Sequence, residues 1–211
     1  MKVSFRILVL TVFTILSCHV FSQTSMVEDD GGLKTGSKHL FMDVHRMGAG
    51  KVKISDVASA HAKDLAVQDK YGAQFLKYWV DEKQGLIFCL VSAPDSNAIR
   101  QAHAEAHGLV PQRIYPMIGD VATVLKGNND LFMDIHFLGA GVTAKDVASA
   151  HQKDLATEGK YGVNISNYWL DEKEGVVMCL AEAKDSSALI KTHKEAHGLV
   201  PNNVYKVKQG K

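Results

Sequence analysis

Cysteine is nearly absent from this chain. Only three of its 211 residues are cysteine, and Cys18 falls in the N-terminal segment, leaving Cys89 and Cys179. A disulfide-dense scaffold is therefore excluded, and the fold must be held by a hydrophobic core. Charge of one sign is missing too. Lys and Arg total 24 against 23 Asp and Glu, a formal net charge of +1. The two signs are interleaved, so no basic stripe offers itself to nucleic acid. Nor is there a long apolar run, since the N-terminal stretch Ile7–Leu16 is too short to span a bilayer. With 46% hydrophobic residues, the composition is that of a globular chain with room for one large domain or two small ones.

The N-terminal stretch reads instead as a secretory signal. Lys2 and Arg6 supply a basic start, the apolar core follows, and small residues come after it. Cleavage after Val20-Phe21-Ser22 makes residues 1–22 a signal peptide and residues 23–38 a polar, Gly-bearing, flexible lead-in. Alternatively, Ile15-Leu16-Ser17-Cys18 is a lipobox, which would leave Cys18 lipidated on a membrane. Either route predicts an exported protein, periplasmic or extracellular.

What the chain does have is a repeat. Leu40-Phe-Met-Asp-Val-His45 returns as Leu131-Phe-Met-Asp-Ile-His136, 91 residues on. Asp56-Val-Ala-Ser-Ala-His61 returns as Asp146-Val-Ala-Ser-Ala-His151 at an offset of 90, one residue having been lost after Gly48-Ala-Gly50. The shorter offset then holds through Cys89 and Cys179, and through Glu105-Ala-His107-Gly-Leu-Val-Pro111 and its copy ending at Pro201. Two modules follow, residues 39–116 and 131–207, with a linker at 117–130.

Each module predicts the same elements. In the first, a strand at Leu40–Arg46 ends at Gly48 and Gly50, and a helix runs from Ser55 to Tyr71. Thr143 and Asp146 offer the second copy of that helix a capping box. An aromatic-rich strand at Gln74–Asp81 turns at Glu82-Lys-Gln-Gly85 into the unbroken apolar strand Leu86–Val91, expected to be buried on both faces. A second helix starts at Pro94-Asp95-Ser96 and stops at Gly108, and a last strand begins at Arg113. The order βαββαβ is the split βαβ, or ferredoxin-like, plan. Two helices cover one face of such a sheet and leave the other bare. The expected fold is therefore α+β, two tandem ferredoxin-like modules packed bare face to bare face as a pseudo-twofold barrel or sandwich.

Histidine carries the chemistry. Apart from His19 in the signal and His39 ahead of the first strand, the histidines fall four to a module: His45, His61, His103 and His107, then His136, His151, His193 and His197. His61 shares a helix stripe with Val57 and Leu65, as His151 does with Val147 and Leu155, so both are read as the most inward-facing of the set. A satisfied core histidine is the plain alternative. His103 and His107 stand i, i+4 on one helix and can clamp an ion through two nitrogens. Glu105 between them points away, so this is not a metalloprotease motif, and His107 next to the helix end also suits the dipole. His45 alternates with Asp43, and His136 with Asp134, on one face of a central strand. Three His-bearing elements thus converge on one sheet face, and imidazole-rich sites suit nickel, zinc or copper(II) better than calcium or magnesium. Cys89 and Cys179 are read as small core residues, with a thiolate ligand or a Cys89–Cys179 bridge as alternatives. Tyr78-Trp79 and Tyr168-Trp169 are read as core and interface.

Phe41-Met-Asp-Val-His45, Ala60-His61-x-x-Asp64-Leu65, Tyr71-Gly72, Tyr78-Trp79-Val-Asp81, Phe88-Cys89-Leu90 and His103-x-Glu105-Ala-His107-Gly108 together resemble a family of small bacterial nickel-binding proteins, formerly a domain of unknown function. The resemblance covers both modules. It implies a ferredoxin-like module that pairs into a dimeric α/β barrel and binds nickel through histidine-rich sites, matched here by all eight module histidines. Typical members are single modules without a signal, so the fused pair would replace a homodimer, while export departs from a cytoplasmic nickel-sequestering role. The leading expectation is a non-enzymatic metal-binding protein for storage, buffering or sensing, with further homo-oligomerisation left open. A small-molecule oxygenase or isomerase using Asp43, His45 and Cys89 is the alternative, and an interaction module with structural histidines is the third.

Overall fold

A computed structural model of the chain describes residues 38–211. The expected signal, lipobox and most of the lead-in lie outside the described residues. The first module runs β1 (His39–Arg46), α1 (Ile54–Val67), β2 (Gln74–Asp81), β3 (Leu86–Ala93), α2 (Ser96–Ala106) and β4 (Arg113–Gly119). The second runs β5 (Asp130–Phe137), α3 (Ala144–Tyr161), β6 (Asn164–Asp171), β7 (Val176–Ala183), α4 (Ser186–Ala196) and β8 (Asn203–Gly210). The first helix of module 1 is shorter than its sequence suggests, because a 3-10 turn, Gln68–Tyr71, takes over its end before Gly72 adopts the left-handed conformation. Module 2 keeps one continuous helix there.

Both sheets are antiparallel, in the order β2-β3-β1-β4 and β6-β7-β5-β8, the ferredoxin-like arrangement. Of the barrel and sandwich alternatives, the barrel is the one formed. Its seams are short: Tyr78–Val80 of β2 pair with Lys208–Gly210 of β8, and Ile118 and Gly119 of β4 pair with Leu170 and Trp169 of β6. β4 therefore extends into the segment 117–130, and the rest of that segment is tied down across the seam. Asn167 donates to the carbonyls of Asp120 and Ala122, Lys77 donates to that of Val121, and buried Glu182 accepts the Lys126 and Gly127 amides at 2.6 Å each.

Strand alternation sorts the side chains into three layers. Met42, Val44, Trp79 and Phe88 point into the barrel with Met133, Trp169, Met178 and Leu180, filling it. The two tryptophan rings lie 5.3 Å apart. Phe41, Phe75, Val91 and Cys89 face α1 and α2, and the corresponding face of the second sheet meets α3 and α4. Cys89 and Cys179 thus belong to separate layers and are free thiols, so the bridge across the pseudo-twofold is not formed. The β1–α1 turn is fastened to the β2–β3 hairpin by a close backbone approach. A Cβ on Gly85 would stand 1.8 Å from the Gly48 carbonyl oxygen, so a side chain there has no room.

Candidate metal centre

The layer between sheet and helices, not the barrel interior, gathers the polar residues. Because side chains at i and i+2 share a strand face, Asp43 and His45 both point from β1 towards the helices. Cys89 is the cross-strand partner of Asp43 and shares that face. α1 lowers His61 and Asp64 from above, and α2 brings His103 along with His107 at its C-cap.

The helical spacing differs from the expected stripe. Leu65 is 42% exposed, whereas Asp64, three residues from His61, is 3% exposed. Leu155 and Asp154 repeat the pattern. Sequence reasoning therefore passed over a carboxylate that lies at the heart of the site. The signal was present: i and i+3 also share a helix face. Similarly, the most buried histidines are His103 and His193, at 1%, not His61 and His151.

His103 is held between two carboxylates. Its Nδ1 lies 2.9 Å from Asp64 Oδ1 and its Nε2 3.2 Å from Asp43 Oδ2. His107 closes the group, with Nε2 at 3.1 Å from both His103 Nδ1 and Asp64 Oδ1. In module 2, His193 Nδ1 stands 3.0 Å from Asp154, its Nε2 3.2 Å from Asp134, and His197 Nε2 3.3 Å from His193. Burial opposes a charged imidazole, but the two carboxylates outweigh it, raising His103 to about 9 and His193 to about 10. Burial likewise opposes ionised Asp43, and the imidazoles of His103 and His45 overcome that, holding it at about 2. His61 joins neither cluster. It lies 4.9 Å from the Tyr78 ring, and burial pushes its pKa down, as it does for His151 beside Tyr168. Glu105 points away as expected, bonding Lys70 and Tyr71 on the surface.

Two groups per module have ligand atoms within 4.8 Å of one another. They are Asp64, His103 and His107, and beneath them Asp43, His45 and Cys89. Asp154, His193 and His197, and Asp134, His136 and Cys179, repeat them. The roughly 3 Å spacing in the upper group is what adjacent donors need around an ion with bonds of about 2.1 Å. If His103 Nδ1 takes the ion, its Nε2–H can keep donating to Asp43, so a carboxylate orients the ligating imidazole. His107 must give up more. Its Nδ1 accepts the Leu109 amide at 3.1 Å, which leaves the neutral ring's proton on Nε2. Coordination through Nε2 moves that proton to Nδ1 and breaks the contact with Leu109. A chiefly apolar pocket of about 220 Å³ opens over the group, walled by Val52, Val57, Ile87 and Leu109, with Lys51 on its rim. The equivalent pocket in module 2 measures about 80 Å³.

Residues 41–117 match the model of the SCO4226-like nickel-responsive proteins, and residues 132–207 match it again. The chain belongs to that family. The family's name supports a metal-related function. The solved structure of SCO4226 from Streptomyces coelicolor A3(2) is 32% identical over 36% of this chain and 93% of its own, with a TM-score of 0.35. Chlorite dismutase from Candidatus Nitrospira defluvii, in complex with imidazole, is 10% identical over 84% of this chain and 92% of its own, at a TM-score of 0.47. A putative monooxygenase from Lactobacillus acidophilus NCFM is 10% identical over 82% and 94%, at 0.46. No curated protein matches the chain.

Proposed function

We propose that this chain is an exported transition-metal-binding protein that stores, buffers or senses nickel, with zinc and copper(II) as ions the same donors accept. The observation that carries the reading is the Asp64–His103–His107 group, repeated as Asp154–His193–His197. Each group combines two imidazoles with a carboxylate, spaced as a shared ion requires, at the floor of an open pocket. Neutral imidazole with some oxygen is the donor chemistry of these late divalent metals. Membership in a nickel-responsive family favours nickel among them. Export rests on the N-terminal signal and is consistent with a chain in which, among the described residues, no helix is long and apolar enough to cross a membrane.

An enzymatic role for Asp43, His45 and Cys89 finds less support. Burial, with Asp43 and Asp64 nearby, pushes the Cys89 thiol well above its ordinary range, which is the opposite of an activated nucleophile. The deciding experiment is dialysis of the mature protein against nickel, zinc and copper(II), followed by elemental analysis. At least one ion per module is expected for nickel. Occupancy near zero for all three metals would end this reading.

A further inference from the structure

Beneath each upper group lies a second one, whose members in module 1 the sequence grouped only as candidate catalytic residues. Asp43 Oδ1 stands 3.2 Å from His45 Nε2, and the Cys89 sulfur completes the set. Asp43, His45 and Cys89 are 0%, 4% and 7% exposed, and two neighbouring strands hold all three. Among the described residues, three buried side-chain atoms lack a hydrogen-bond partner: Asp43 Oδ1, Asp134 Oδ1 and His136 Nδ1. All three belong to this lower group or to its copy. The same oxygen is left so in both modules. The other oxygen of each aspartate is already engaged by His103 or His193. Asp43 Oδ1 therefore faces the His45 imidazole, 3.2 Å away, and the Cys89 thiol without a well-aligned hydrogen bond to either.

We infer that Asp43 Oδ1, His45 Nε2 and Cys89 Sγ, with Asp134, His136 and Cys179 in the second module, form a buried site for a thiophilic ion of the zinc class. This site is separate from the exchangeable imidazole–carboxylate site above it. The inference rests on the metal-binding reading and adds a sulfur-bearing compartment to it. The donor set decides the class. One thiolate, one imidazole and one carboxylate are the zinc ligands, whereas a site for calcium or magnesium would offer oxygens alone. A bound ion expels the thiol proton to solvent, so Cys89 coordinates as thiolate, as thiols on zinc do. His103 Nε2–H keeps its hydrogen bond to Asp43 Oδ2 and orients the ligating carboxylate. His45 and Cys89 line the same pocket as the upper group, as His136 and Cys179 do in module 2, so an ion reaches the lower site through it.

X-ray absorption on the full mature chain loaded with zinc tests this without a mutation. A zinc–sulfur shell near 2.3 Å is expected, and its absence from a zinc-loaded sample overturns the inference. Cobalt(II), added alone under reducing conditions, should give a sulfur-to-cobalt charge-transfer band. The band should disappear in Cys89→Ser/Cys179→Ser and survive in His107→Ala/His197→Ala. A band that persists in the cysteine variant overturns the assignment. A protein that binds nickel in full but shows no metal–sulfur signal sinks this inference alone. A protein that binds no metal at all sinks the proposed function with it.

Discussion

The two modules differ least where they are most polar. The distance from His103 Nδ1 to Asp64 is 2.9 Å and from His193 Nδ1 to Asp154 3.0 Å, and the contacts to Asp43 and Asp134 are both 3.2 Å. Around these superposable donors the walls have drifted. The pocket of module 1 holds about 220 Å³ and that of module 2 about 80 Å³. Module 2 has lost the residue corresponding to Lys51, and Leu138 stands where module 1 has Met47. A capping threonine, Thr143, replaces Lys53, and Glu182 replaces Ser92. An apolar wall can change volume at modest cost, whereas a donor moved by an ångström no longer shares an ion. The comparison therefore separates what the site requires from what merely encloses it.

The largest effect that can break the parallel is at the donors. His103→Ala/His107→Ala should remove the upper ion of module 1 and leave module 2 loaded. The matching His193→Ala/His197→Ala change should do the reverse. Elemental analysis should find nickel occupancy reduced by about half in each variant, and complete loss from either would mean that the modules do not bind independently.

Next comes pH. His103 and His193 have folded pKa values raised above the ordinary 6.5, so the stability they contribute is fully present below 6.5 and is lost as pH rises through about 9 to 10. Asp43 and Asp154 are depressed to about 2, so their contribution is present above 3.8 and lost as pH falls towards 2. Urea denaturation of the metal-free chain should show a loss of a few kcal/mol on the alkaline side, and a smaller fall below 6.5, where unfolding lets His61 and His151, whose pKa burial lowers, take up protons. A midpoint that stays flat from pH 6 to 10 would refute the sandwiched imidazolium in both modules.

Glu182→Ala should destabilise by about 1–3 kcal/mol, because the Lys126 and Gly127 amides lose their acceptor. Ser92→Ala at the equivalent place should fall within about 0.5 kcal/mol. The caps should show the smallest contrast. Thr143→Ala removes a side chain that accepts from the Asp146 amide and should cost about 1 kcal/mol. Lysine has no acceptor to offer, so Lys53→Ala should leave the denaturation midpoint nearly unchanged. Hydrogen exchange sharpens the metal reading further. Loading nickel should speed exchange at the Leu109 and Leu199 amides, whose histidine acceptors are withdrawn.

Much of this architecture is legible in the chain. The doubled motifs set the modules, the strand patterns set the strands, and Gly108 marked the end of the second helix. Three things were not. Asp64 shares a helix face with His61, but the helix alone does not say that His103, 39 residues away, will stand opposite it. The choice between the expected barrel and sandwich rests on seams of three and two residue pairs, too short to leave a pattern. The orphaned Asp43 oxygen is a matter of hydrogen-bond alignment, which no spacing rule encodes. Glu182 lies between these cases, since a lone carboxylate within the apolar run Val176–Ala183 does invite the question of what it holds.

The meeting of Trp79 and Trp169 has a practical consequence. They are the chain's two tryptophans, and they come from different modules. Their indoles are close enough for their excited states to mix, so the chain contains its own optical gauge of module docking. An exciton couplet in the near-ultraviolet should persist while the barrel is closed and vanish when the halves part. Ions arriving on the outer faces should leave it silent, which gives assembly and metal loading separate colours in one cuvette.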